Sequence, residues 1–195
     1  PSKSKLREDL SLPQEKIIFS YVGKYQTMGE SKGVEEIIEA FAHVVQKRSD
    51  IFLYLVGINE LEVNEVKDIF FKHSIPSDSF KLADLDQSIF AQYLSASDIL
   101  LMNYPKTEHY EKYMSPTKLF AYLATGKPII SSGLESITKF VDKGIVYTKD
   151  FTVEAYVEAM SHALSEYKSL VDQAKQNIKI VKCFAWYKRA GRIVE

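Results

Sequence analysis

The chain has little cysteine, no long apolar run and no excess of charge of either sign. Its single cysteine, Cys183, excludes an internal disulfide and any metal site built on several cysteines, and it is typical of a reducing compartment. No apolar run approaches the roughly 20 residues that a membrane-spanning helix needs. A net charge of −1 without a basic run gives no reason to expect nucleic-acid binding.

Apolar residues are plentiful instead. They make up 46% of the 195 residues, which is enough for one sizeable core, so we expect a single domain over residues 1–195. The polar opening PSKSKLRED shows no signal peptide and looks like a cut inside a longer protein. Residues 1–15 are therefore interpreted as a lead-in to the first strand.

Short apolar runs alternate with helical patterns along the chain. Strands are predicted at 17–22, 51–56, 79–82, 99–102, 129–132 and 145–147. Helices are predicted at 32–46, 61–71, 88–96, from 115 to a stop at 126, at 137–142, and throughout the chain beyond 150. Because most strands are apolar throughout, the pattern predicts a doubly wound, Rossmann-like α/β fold with a parallel sheet of about six strands. Ligands bind such sheets at the carboxyl ends of the strands.

The segment SPTKLFAYLATGKPIISS, which begins at Ser115, predicts a helix followed by a buried strand. Ser115 is a good N-cap, Pro116 tolerates the first helical position, and Gly126 ends the helix. A helix N-terminus entered from a loop offers backbone N–H groups to a phosphate, here those of Thr117 and Lys118. The plainer interpretation is a helix–strand unit with ordinary caps.

A second candidate site follows the first strand, in YVGKYQTMGESKG. The strand ends at Gly23, Lys24 and Lys32 flank the loop, and a helix begins near Gly33. Its glycines allow a ligand to approach the backbone closely, although the spacing fits neither a dinucleotide fingerprint nor a P-loop. Taken alone, the segment is as readily a strand–loop–helix turn with solvated lysines.

Both segments resemble the donor-binding C-terminal domain of GT-B glycosyltransferases, in the large retaining "group 1" family. Members often carry SPxKLFEYMAxGKPII and YVGR…KG here, and the resemblance extends from Lys16 to Glu195. It implies that the diphosphate of a nucleotide-sugar donor is bound by Gly23, Lys24, Lys32, Pro116, Thr117 and Lys118. It also implies transfer with retention, no metal or other cofactor, and an acceptor-binding N-terminal domain ahead of residues 1–15.

In the resembling family, the loops after the second and third strands meet the base of the nucleotide. The residues that the resemblance assigns to base and ribose are Gly57, Asn59, Ala83, Leu85 and Ala121. Nothing in these residues selects uracil over guanine or adenine.

The chain departs from the family at two carboxylates. The family places one Glu on the transferred sugar and a second, eight positions later, on the ribose hydroxyls, where this chain has Tyr113 and Ala121. A charged hydrogen bond contributes about 1.5–3 kcal/mol, so its loss would weaken nucleotide binding roughly ten- to a hundredfold. Glu111, Glu108 and His109 lie in the preceding loop and are candidates to contact the sugar or a phosphate, although a loop histidine is more often only solvated.

Three functions stay open. The first is the donor half of a glycosyltransferase acting on a glycan or lipid-linked acceptor, in envelope polysaccharide or lipopolysaccharide synthesis. The resemblance implies that the whole protein is cytoplasmic and that these 195 residues alone are inactive. Any contact with the inner membrane face would then be made by the N-terminal domain. The second is a degenerate, non-catalytic interaction domain. A receiver or flavodoxin-like module is disfavoured, because the first strand ends in Val22, Gly23 and Lys24 without an acidic pair.

The tail FAWYKRAGRI carries an apolar stripe of Trp186, Ala190 and Ile193. Core packing is its simplest interpretation. It also resembles the family's final helix, which packs towards the N-terminal domain.

Overall fold

The computed structural model describes residues 1–27 and 30–184. Its main sheet consists of β1 (Ile17–Val22), β2 (Ile51–Val56), β3 (Phe80–Ala83), β4 (Ile99–Met102), β5 (Ile129–Ser132) and β6 (Ile145–Thr148). All neighbouring strands are parallel, in the order 3-2-1-4-5-6 that is typical of the Rossmann fold. The predicted doubly wound sheet of about six strands is confirmed.

Helices cover both faces of this sheet. They are α1 (Lys3–Asp9), α2 (Val34–Val45), α3 (Val63–Lys72), α4 (Phe90–Ala96), α5 (Thr117–Leu123), α6 (Glu135–Thr138), α7 (Val153–Ser165) and α8 (Tyr167–Val181). Shorter elements are a hairpin of Gln26–Thr27 with Glu30–Ser31, 3-10 turns at Gln87–Ile89 and Lys182–Phe184, and a π turn at His109–Tyr113. Among the described residues, no helix has the length and apolarity needed to cross a membrane.

Two apolar clusters hold the layers together. Alternate residues of β1 point to opposite faces, with Phe19 and Tyr21 in one cluster and Ile18 and Val22 in the other. Helices α2, α3 and α7 pack on the first face, and α1, α4, α5 and α6 pack on the second. Burial on both faces explains why the central strands are apolar throughout rather than alternating.

Two predicted helix boundaries and one predicted continuous helix are wrong. Ser115 is not an N-cap: α5 begins at Thr117, and Pro116 occupies the cap position without a side-chain hydrogen bond. The reason is that the Thr117 N–H turns back to donate to the Ser115 carbonyl at 2.8 Å. The helix predicted at 137–142 is α6, which ends at Thr138. The predicted C-terminal helix breaks at Glu166, whose backbone leaves helical geometry.

Residues 1–15 pack firmly against the rest of the domain. The Arg7 side chain is buried beneath the sheet, where it donates to the Asp98 carboxylate and to the carbonyls of Ala96 and Gln14. That this segment leads from an acceptor-binding domain stays a prediction. The predicted stripe of Trp186, Ala190 and Ile193 lies outside the described residues.

Candidate functional site

The loops that follow β1 and β2 meet at the carboxyl edge of the sheet. The Gly23 N–H donates to the Val56 carbonyl at 2.9 Å, and the Gly57 N–H donates to the Ala83 carbonyl at 2.8 Å. Gly57 has a φ of +108°, and a Cβ there would lie 2.1 Å from the Gly23 carbonyl oxygen. A side chain at position 57 would therefore push the two loops apart.

The side chain of Lys118 lies directly under this junction. Its Nζ is buried and has no hydrogen-bond partner in the part of the chain that the structure describes. Nζ stands 3.8 Å from the centroid of the Tyr21 ring, and a Cβ on Gly23 would lie 2.5 Å from it. The sequence pointed to the backbone N–H of Lys118 as a phosphate donor. The structure adds its side-chain amino group, which α5 places beside the end of β1.

Lys24, Lys32 and Lys118, the lysine cluster, influence one another electrostatically. Burial and the charge of Lys32 hold the pKa of Lys118 well below its ordinary value. Burial also lowers the pKa of Lys32, and the charge of Lys24 lowers it further. Lysines gathered without a counter-charge among the described residues cost free energy, and an anionic ligand would offset that cost.

Tyrosines form the walls around Lys118. The Tyr122 hydroxyl accepts the Val22 N–H at 3.0 Å, and the Tyr21 hydroxyl donates to the Lys24 carbonyl at 3.0 Å. Burial raises the pKa of Tyr104 to about 12, so this phenol stays neutral. The sequence does not reveal this wall: its total of 12 tyrosines does not show where they meet.

The end of the loop at Gly33 is fixed by a buried amide. Asn103, directly after β4, donates through Nδ2 to the Gly33 carbonyl at 2.7 Å. Its Oδ1 accepts the Tyr156 hydroxyl from α7. Gly33 has a φ of +69°, and a Cβ there would lie 1.8 Å from Asn103 Nδ2. Asn103 thus fixes the turn that carries Lys32, a role that the sequence analysis missed.

We expect Asn103→Asp to lower the free energy of unfolding by about 1–3 kcal/mol, because a carboxylate oxygen would then face the Gly33 carbonyl in place of the donating amide. Urea denaturation measures this change. Asn59→Asp is the matched control: within the described part of the chain, the Asn59 side chain hydrogen-bonds only through its Oδ1, which accepts from Leu61 and Glu62, and aspartate keeps that acceptor. The control should change stability by less than about 0.5 kcal/mol. Equal losses at both positions would contradict this role of Asn103.

The residues assigned to base and ribose form two groups that share Ala83, which packs against the same apolar cluster as Leu85 and Ala121. Gly57, Asn59 and Ala83 lie at the β2–β3 edge, where Asn59 and Glu62 cap the start of α3 reciprocally. Leu85 and Ala121 are half-buried and pack against the same apolar cluster on the α5 face. Their contact with a nucleotide stays a prediction.

Asp84 and Asp86 flank Leu85 and form an Asp-x-Asp pair with the potential to hold a cation. Each carboxylate already accepts a backbone N–H of its own turn, Asp84 from Leu85 at 2.7 Å and Asp86 from Ser88 at 2.8 Å. The described residues contain no group of three or more histidine, cysteine, aspartate or glutamate side chains placed for a metal ion. The pair is therefore explained by turn capping, and metal-independent transfer rests on the family resemblance alone.

The candidate catalytic residues Glu111 and His109 lie on the π turn. Glu111 is half-exposed with the Lys106 ammonium 3.9 Å away, and the exposed His109 ring meets Tyr110 edge-on at 5.3 Å. No contact among the described residues joins either side chain to the lysine cluster. Tyr113, at the position of the family's first Glu, is 72% exposed. Pi turns are frequent at functional sites, so the turn is a reasonable place for these residues, but their role stays a prediction.

Comparison with known families bears directly on this arrangement. The model of the family "Glycosyl transferases group 1" matches residues 2–180. The chain belongs to this family. No curated protein sequence matches it significantly.

Solved glycosyltransferase structures share the fold. HepE from Anabaena, determined with UDP-glucose, has a TM-score of 0.73 at 16% identity, covering 92% of this chain and 47% of HepE. WaaG, a glycosyltransferase involved in lipopolysaccharide biosynthesis, has a TM-score of 0.71 at 17% identity, covering 92% and 47%. The C-terminal domain of LpcC from Francisella tularensis has a TM-score of 0.69 at 14% identity, covering 96% and 93%.

The chain thus spans about half the length of HepE and WaaG and nearly all of the separate LpcC domain. At these identities, the superpositions show the fold, a Rossmann-like GT-B domain, and leave the ligand of this chain to its own residues.

Proposed function

We propose that this group 1 domain binds the diphosphate of a nucleotide-sugar and forms the donor half of a retaining hexosyltransferase. The observation that carries the proposal is the buried Nζ of Lys118, which has no hydrogen-bond partner among the described residues and is influenced by the charge of Lys32, itself influenced by Lys24. A buried amino group without a partner is costly, and a diphosphate supplies both hydrogen-bond acceptors and negative charge. That HepE was determined with UDP and with UDP-glucose supports a nucleotide-sugar as the ligand class.

The lysine cluster would act on the leaving group. When the bond between the sugar and the diphosphate breaks, negative charge grows on the nucleoside diphosphate. Cations already fixed at that position stabilise this charge without reorganisation. Lys24 is exposed and can follow the ligand, whereas Lys32 is held by the turn that Asn103 anchors.

The remaining features of the whole enzyme follow from family resemblance. We propose a cytoplasmic protein at the inner membrane face, with an N-terminal acceptor domain joined through residues 1–15 and a glycan or lipid-linked acceptor. WaaG, a relative in fold that is involved in lipopolysaccharide biosynthesis, supports an envelope role. We expect little or no transfer by these 195 residues alone, since the acceptor would bind elsewhere.

Calorimetric titration with UDP, GDP and ADP, each without metal, tests the proposal. One nucleotide should bind in the micromolar to low-millimolar range. The Lys24→Ala/Lys32→Ala variant should lose at least tenfold in affinity, since each charged contact contributes about 1.5–3 kcal/mol. Lys47→Ala/Lys72→Ala is a matched control, because Lys47 follows the end of α2 and Lys72 is the last residue of α3, away from the carboxyl edge of the sheet. An equal loss in the control would contradict a specific site.

A second candidate function is a non-catalytic interaction domain. The observation that favours it is the replacement of both family carboxylates by Tyr113 and Ala121. Absence of binding by all three nucleotides up to several millimolar, in a folded protein, would favour this second function.

A further inference from the structure

Lys118 occupies an environment that does not suit an ammonium ion. The groups that face it are the ring of Tyr21 on β1, Tyr104 in the loop after β4, and Lys32 before α2. The partnerless carboxylate oxygen of Glu36 lies instead beside Gly33 and near Tyr156. No described carboxylate therefore balances the charge of Lys118.

The aromatic contacts do not compensate for this burial. The Tyr21 ring, 3.8 Å from Nζ, attracts a cation by about 2 kcal/mol when it is desolvated. Removing an ammonium group from water without an acceptor costs several kcal/mol, and the charge of Lys32 adds to that cost. The empty site therefore favours the neutral amine, in agreement with the strongly lowered pKa of Lys118.

We propose that Lys118 is a neutral amine in the ligand-free domain and takes up one proton when the phosphate groups of its ligand bind. The proton comes from solvent, and the nitrogen lone pair accepts it to form the third N–H bond. Bound phosphate oxygens then supply the acceptors that the empty site lacks. The ligand-linked step rests on the proposed function, since it requires a phosphate ligand.

The linkage predicts a sign for the pH dependence. Between the pKa of Lys118 in the free domain and its higher pKa in the complex, binding consumes a proton. Affinity should therefore fall as pH rises, by up to tenfold per pH unit. The affinity should be measured above about pH 7, because phosphate groups with a pKa near 6 are fully ionised there.

A nuclear magnetic resonance titration of isotope-labelled lysine side chains tests the ligand-free state directly. The resonance that is absent from Lys118→Met should titrate well below those of the exposed lysines. Burial also lowers the pKa of Lys32 and lowers that of Lys127 to about 8, so the assignment rests on the variant and not on a low pKa alone. Methionine replaces the buried amine by an apolar group of similar volume, so this variant should fold, and Lys118→Arg is a second variant for the assignment. If Lys118 titrates with the exposed lysines, the proposal is overturned.

Calorimetry with UDP at pH 8, in buffers of different ionisation enthalpy, tests the linked step. We expect uptake of about one proton by the wild type and none by Lys118→Met, which also binds more weakly. Lys24→Met is the control: it should weaken binding yet keep proton uptake, because Lys32, and not Lys24, is the cation that lowers the pKa of Lys118. Binding of UDP without proton uptake would overturn this inference and leave the proposed function intact. Absence of binding by UDP, GDP and ADP would overturn the proposed function and the linked step together, while the titration still decides the ionisation state.

Discussion

Asp98→Asn should lower the free energy of unfolding by about 3–5 kcal/mol, the cost of leaving a buried partner charge unpaired. Asp98 accepts the Ile18 N–H at 2.7 Å and the Tyr167 hydroxyl at 3.2 Å, and it pairs with Arg7 and Lys3. An asparagine at this position would turn an amide group towards one of these donors. Arg7, only 4% exposed, would then have no counter-charge at the base of the sheet.

Urea denaturation measures this effect, with an unchanged m-value and a lower midpoint. Thermal unfolding should begin roughly 10 °C lower, since about 1 kcal/mol shifts the midpoint of a domain of this size by 2–4 °C. Asp50→Asn is the matched control, because Asp50 pairs with Arg48 on the surface and both side chains are about half exposed. That pair should contribute less than about 1 kcal/mol. Similar losses in both variants would rule out the buried network as the cause.

Asp98 also makes the domain acid-sensitive. Burial alone raises the pKa of this carboxyl, but the hydrogen bonds from Ile18 and Lys3 and the nearby cations outweigh burial and lower it. A group with a lowered folded-state pKa stabilises the fold above its unfolded pKa of about 3.9. This contribution is lost as pH falls through the folded-state pKa. The midpoint of the wild type should therefore fall more steeply below pH 4 than that of Asp98→Asn.

The sequence predicted the strands well because they are simple in physical terms. The central strands β1, β2 and β4 are short apolar runs, and their burial on both faces leaves little ambiguity. Helix ends were less predictable. The Thr117 N–H bonds to the Ser115 carbonyl, so the preference of Ser115 for an N-cap had no effect on where α5 begins. The helix start there is set by a turn that the sequence does not reveal, and not by the N-cap propensity of the local residues.

In the candidate site, some residues could be predicted from local sequence and others could not. Lys24 and Lys32 flank one loop and could be recognised from local sequence, and Lys118 was predicted through its backbone. The direction of its side chain depends on how α5 packs against β1, a contact between residues 95 or more positions apart that no local pattern encodes. Asn103 follows β4 and Tyr156 lies on α7, so their hydrogen bond also joins distant parts of the chain. Tyr156 has the same helical spacing as ordinary core residues, so the pattern does not distinguish it from them. Long-range polar contacts are what the sequence leaves hidden.

Ala121→Glu should tighten binding of the preferred nucleoside diphosphate by about ten- to a hundredfold. Ala121 takes the position at which the resembling family has the Glu that holds the ribose hydroxyls, and a charged hydrogen bond contributes about 1.5–3 kcal/mol. Ala121 is half-buried in the second turn of α5, where it packs against an apolar cluster but stays partly open to solvent, so a longer side chain there has a path towards solvent or ligand. Calorimetric titration of wild type and variant, at the same pH and salt, measures the gain.

Two controls separate a ribose contact from a general effect of added charge. Ala124→Glu adds the same carboxylate at the exposed end of α5 and should change affinity little. A nucleotide that lacks the ribose hydroxyls should gain nothing from Ala121→Glu, because repulsion between carboxylate and diphosphate is then uncompensated. A gain that depends on those hydroxyls would mean that the site keeps the family's binding geometry and has lost one contact. No gain with the intact nucleotide would mean that ribose lies away from α5, and the donor position carried over from the family would be wrong for this chain.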